Sequence, residues 1–136
     1  MKNEDIRWKQ RFANFSKAMG HLENALQIHD PDMVQKAGII QFFEMSFELA
    51  WNLVKDYLED QGFVDVKSPR SALKKAFEVN ILKDGYDWME LLQDRNLTAH
   101  TYDEQKATDM EHLIQNKYFP ILKDLFDSFK EKLNEE

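Results

Sequence analysis

A chain of 136 residues, 43% of them hydrophobic, is long enough to bury a core without disulfides or metals. It contains no cysteine, which removes thiolate catalysis, disulfides and thiolate zinc sites and suits a reducing cytosol. Its net charge of −7 argues against a general nucleic-acid coat, because non-specific affinity comes from neutralising phosphates. No apolar run approaches a membrane span, and MKNEDIRWKQRF carries no signal-peptide core, so a cytoplasmic chain with no membrane partner is expected.

In the first element Phe12, Phe15, Met19, Leu22 and Leu26 recur at alternating steps of three and four. That spacing predicts an amphipathic helix over about 4–28 with one seam turned to a core. HDPD ends it, with Asp30 and Pro31 as N-cap and first residue of the next helix.

The second predicted helix, about 31–60, is apolar nearly all round. Phe43, Phe47, Ala50, Trp51, Val54 and Leu58 form one face, and Phe42, Met45, Leu49 and Leu53 form another. Glu44, Glu48, Asn52 and Lys55 make a narrow polar strip between them. Such a helix needs burial on both faces, either centrally in a five-helix core or through self-association. Self-association is the more natural in a chain this small.

Gly62 closes that helix, and Ser68 with Pro69 opens a short one that runs to about Val79. A turn at NILKDGYD leads to a fourth helix from about Tyr86. The fifth, about 104–133, carries Met110, Leu113, Tyr118, Leu122, Leu125, Phe126, Phe129 and Leu133 on one stripe. No alternating pattern persists and no repeat appears. The expected fold is all-α: one domain over 1–136, an antiparallel up-and-down bundle of four main helices plus one short helix.

Several chemistries find no support. Four scattered glycines cannot build a phosphate loop, no G-x-S-x-G elbow is present, and His21, His29, His100 and His112 lack H-x3-H spacing. Neither a metal nor a cofactor is expected. Glu44 and Glu48 share the edge of the central helix. They suit either a hard cation or acid–base work, or else a polar edge held by a nearby Arg or Lys. Lys67, Arg70, Lys74 and Lys75 cluster without an intervening acid, as either a solvated face or a phosphate-contacting one.

The segment LLQDRNLTAHTYDE, 91–104, gathers Arg95, His100 and Tyr102. In a straight helix Arg95 and His100 would point about 140° apart, so a shared target requires a helix break or two copies of the chain. Asn96 and Thr98 support a break through side-chain-to-backbone bonds. Arginine steadies charge on phosphorus and histidine exchanges protons near neutral pH. Together they suffice to cleave RNA through the substrate's own 2′-hydroxyl without a metal.

RNLTAHTYDE resembles the R-N-x3-H-x-Y core of the HEPN domain, most closely the small bacterial branch labelled nucleotidyltransferase substrate-binding proteins. FFEMSFELAWNLVKDYLEDQG and KSPRSALKKAFEVNIL are similar to that branch's second and third helices, so the likeness covers about residues 5–133. The resemblance implies a dimerising helical bundle and a minimal nucleotidyltransferase partner encoded nearby. It implies a toxin that is a metal-independent ribonuclease, with Arg95 and His100 as catalytic pair and Asn96 as polar companion. It further implies that the partner silences the nuclease by adding AMP to Tyr102. The alternative keeps the fold without catalysis, as a subunit that binds a nucleotide or other substrate for the nucleotidyltransferase.

Overall fold

The computed structural model describes residues 6–95 and 103–135. Helix α1 spans Arg7–Leu26, α2 Met33–Asp60, α3 Pro69–Glu78 and α4 Gly85–Arg95. After Asp103, α5 (Glu104–Leu113), a π-helical turn (Ile114–Tyr118) and α6 (Phe119–Asn134) run on without a break. The result is the expected all-helical antiparallel bundle of four main rods and one short helix. Buried side chains from every helix join one continuous apolar cluster.

The seam of α1 is buried from Phe12 to Leu26, as its spacing predicts, and Trp8 extends it by one turn. Trp8 packs edge-on against Tyr57 at 5.3 Å and against Phe129 at 5.8 Å, tying α1 to α2 and α6. Asp56 is fully buried on α2 and is held by Arg11 of α1 at 2.9 Å and by Lys55 at 3.4 Å. Removing Arg11 would leave a buried carboxylate poorly compensated.

Helix α2 begins two residues later than its sequence suggests. Asp32, not Asp30, is the N-cap: its side chain accepts from Gln35 N at 2.8 Å, and Gln35 Oε1 accepts from Asp32 N at 2.9 Å. Asp30 has a φ of 52°, outside the extended region that an N-cap needs. On α2 the first apolar face is buried throughout, and Leu53 of the second face is also buried. Phe42 and Leu49 are half-buried, with the His21 ring of α1 stacked on Phe42 at 5.4 Å, while Met45 remains 42% exposed. The chain's own packing therefore covers most of α2 and leaves a narrow apolar strip around Met45.

Both α2 and α3 end in a left-handed residue that satisfies the last carbonyls. Gly62 (φ 96°) follows α2, with Phe63 N donating to Leu58 O at 3.0 Å. Asn80 (φ 67°) follows α3, with Ile81 N donating to Ala76 O at 2.8 Å. Ser68 and Ser71 cap the start of α3 reciprocally, with Pro69 in the first turn. At the start of α4, Gly85 lies directly beneath the Phe77 ring; a β-carbon there would come within 2.7 Å of it. That close approach sets α4 against α3.

The π turn corrects the fifth predicted helix. Met110, Ile114, Tyr118 and Leu122 are all buried and are spaced four apart, whereas Leu113 is 38% exposed. Three steps of four residues drift about 120° around an α-helix. A turn closed by i→i+5 bonds absorbs the surplus residue and keeps the four side chains on the core face.

Candidate functional site

Arg95 is the last residue of α4. Its Nη1 lies 3.3 Å from Glu48 Oε1 of α2, and its guanidinium carbon lies 5.2 Å from the centre of the Phe47 ring. Glu48 is itself oriented, because its Oε2 accepts from Trp51 Nε1 at 2.5 Å one turn further along. Phe47 is wedged against Trp88 of α4 at 6.4 Å. Helix α2 thus holds the arginine through two contacts, one ionic and one aromatic. The Arg95 side chain keeps 28% of its surface open, enough to present donors outward while an aromatic face lies behind it.

Glu48, on the edge of α2, is thus paired with an arginine and a tryptophan. Glu44 is half-buried one turn before it. Among the described residues, no group of three or more His, Asp or Glu side chains is arranged to hold a metal ion. No described helix is long and apolar enough to cross a membrane. Asn96, His100 and Tyr102 lie outside the described residues, so the described part of the motif is Arg95 at the end of α4.

Two contacts that sequence reasoning missed hold the same end of α4. Tyr118, fully buried in the π turn, stacks on Phe43 at 5.8 Å and donates its hydroxyl to Asp94, the neighbour of Arg95. Lys117, beside it in the π turn, donates to Glu90 at 2.5 Å, one turn earlier on α4. Burial first, then the hydrogen bond to Asp94 and that carboxylate's charge, push Tyr118 ionisation well above its ordinary value of 10.0. The hydroxyl therefore stays a donor throughout the neutral range. The Glu90 hydrogen bond likewise raises Lys117. The run of four-residue apolar steps could have signalled the burial of Tyr118, but not its contact with Asp94, 24 residues away.

The basic cluster divides. Lys67 is bonded to Glu59 at 2.7 Å, an interaction that holds Glu59 below the usual carboxylate range. Lys75 pairs with Glu78 at 3.2 Å and lies over the Phe63 ring. Lys74 and Arg70 are exposed, and Arg70 reaches Met89 Sδ of α4 at 3.9 Å. Half of the cluster is thus already engaged by acids of the chain, and Arg70 lies against the helix that ends in Arg95.

Residues 10–133 match the family described as nucleotidyltransferase substrate binding protein like. A curated protein of Haemophilus influenzae named probable ribonuclease HepT is 31% identical over 84 residues, 57% of this chain and 58% of that protein. The alignment therefore spans little more than half of that relative's length. A solved Haemophilus influenzae structure, described as revealing the fold of a substrate binding domain of a nucleotidyltransferase, superposes with a TM-score of 0.76 at 25% identity. A Thermus thermophilus structure gives 0.72 at 30% identity. Each covers 88% of this chain and 98% of the other.

Proposed function

The chain belongs to the nucleotidyltransferase substrate binding protein-like family, and from that premise we propose that it is a HEPN-type endoribonuclease that needs no metal ion. The observation that carries this reading is Arg95, oriented by Glu48 and Phe47 at the end of α4 and followed at once by N-x3-H-x-Y. The name of the Haemophilus influenzae relative, probable ribonuclease HepT, points the same way.

In the proposed reaction the substrate's 2′-hydroxyl attacks the adjacent phosphorus as His100 takes its proton. The new P–O2′ bond forms as the P–O5′ bond breaks, and the departing 5′-oxygen takes a proton from water, while His100 returns its own to the solvent. Arg95 bears the charge that accumulates on the phosphoryl oxygens. Asn96 assists as a polar companion, and the exposed Lys74 and Arg70, with Lys67 and Lys75 nearby, draw the phosphate backbone to an otherwise acidic surface. A second copy of the chain, docked over the strip around Met45, completes the site as a homodimer. A minimal nucleotidyltransferase acts as antitoxin by transferring AMP from ATP to the Tyr102 hydroxyl, releasing pyrophosphate.

The second reading is a non-catalytic subunit that presents a substrate to that nucleotidyltransferase. It is favoured by the family's description and by the description of the Haemophilus influenzae structure. One experiment separates the two. The nuclease reading predicts RNA cleavage by the purified chain in EDTA, and loss of at least about 100-fold in rate for His100→Ala. Cleavage by His100→Ala at the wild-type rate sinks it. An inert wild-type chain whose nucleotide binding, measured with the nucleotidyltransferase present, is weakened by Arg95→Ala supports the second reading.

A further inference from the structure

The π turn between α5 and α6 sits where α4 needs an external hold. Helix α4 has its final residue, Arg95, at the mouth of the motif. Its last turn can rotate or fray unless another element fixes it. Two adjacent side chains of the π turn meet it at successive turns: Lys117 reaches Glu90 and Tyr118 reaches Asp94. Residues four apart on a helix lie on one face, so both contacts grip the same side of α4. The two grips differ in kind. Lys117–Glu90 is an open ion pair, the partners being 36% and 50% exposed, and contributes little. The Tyr118 ring is fully buried and stacked on Phe43 of α2, so its hydroxyl is a fixed point rather than a floating one.

We infer that Tyr118 is a positioning residue for Arg95: it anchors Asp94 to the core and so sets the position of the arginine that follows. The π turn is what brings it there. In an uninterrupted α-helix Tyr118 would sit about 80° round from Met110, so the surplus residue of the π turn changes where its ring and hydroxyl meet α4. A single extra residue in one helix thereby fixes a side chain of another. The effect on chemistry rests on the nuclease reading above, whereas the effect on Arg95 geometry does not.

The test uses the full chain with Tyr118→Phe, which keeps the ring and its stacking and removes only the hydroxyl. Asp94→Ala and the double variant accompany it. The first readout is the 15Nε signal of Arg95, with that of Arg11, bonded to Asp56 where α1 meets α2, as internal reference. The second is kcat and KM for RNA cleavage in EDTA. The Arg95 signal should move in both single variants while that of Arg11 stays. The kcat should fall about tenfold with KM nearly unchanged, because a misplaced charge costs most in the transition state. The double variant should lose no more than the worse single one, as expected when two groups act through one bond. An Arg95 signal unmoved in Tyr118→Phe, or full additivity in the double variant, overturns the inference. Should wild-type protein leave RNA intact, the nuclease reading fails alone, and the Arg95 signal still decides the anchor.

Discussion

At Arg95 the guanidinium is backed by the Phe47 ring and flanked by Glu48, with part of the side chain left exposed. On the proposed nuclease reading, charge held in place beforehand would stabilise the transition state with little reorganisation. Tyr118 supplies a residue-scale consequence that can be read in a stability curve. Its folded-state ionisation lies above its unfolded value of 10.0, so the folded chain holds the phenolic proton longer. That contribution is complete below pH 10.0 and is lost as pH rises beyond it. Denaturant unfolding of wild type should therefore show stability falling above about pH 10 more steeply than in Tyr118→Phe. Parallel curves for the two proteins would mean that the hydroxyl is not held as described.

Among the elements, each helix end carries its own device, and these were unevenly legible. Ser68–Pro69 and Gly62 were readable because each residue type has one obvious use at a helix terminus. HDPD was not, because two aspartates compete for the cap and only the backbone turn at Asp30 decides between them. The apolar seams of α1 and α2 were legible as helical periodicity. Leu113 was not, because α-spacing carried through a π-helical segment assigns it to the core when it is partly exposed. The grip of Tyr118 on Asp94 had no local signal: the residues are 24 apart, and their meeting depends on how α4 docks. At the end of α2, Gly62 occupies a left-handed conformation, and a β-carbon added there would meet nothing within 4 Å. A side chain at that position therefore faces backbone strain rather than a clash. Gly62→Ala should lower stability by about 1 kcal/mol in urea unfolding without altering the helical circular dichroism signal. A stability equal to wild type would show that α2 does not depend on that turn.

For the molecule as a whole, α2 is the organising rod: it buries one full face, lends Glu48 and Phe47 to Arg95, and supplies Phe43 as the seat for Tyr118. Its nearly all-round apolar character left open a central position or self-association, with self-association the more natural expectation, and the chain's own helices cover most of it. The R-N-x3-H-x-Y motif supplies the proposed chemistry, whereas the contacts that hold its arginine come from a helix distant along the chain. The central claim is that this framework presents Arg95 as a planar, two-pronged phosphate ligand in a ribonuclease that uses no metal. Arg95→Lys tests it most directly, since it keeps the charge and discards the fork. In EDTA the variant should cut RNA at least about 100-fold more slowly than wild type while remaining as helical. Cleavage by Arg95→Lys at the wild-type rate would contradict the account.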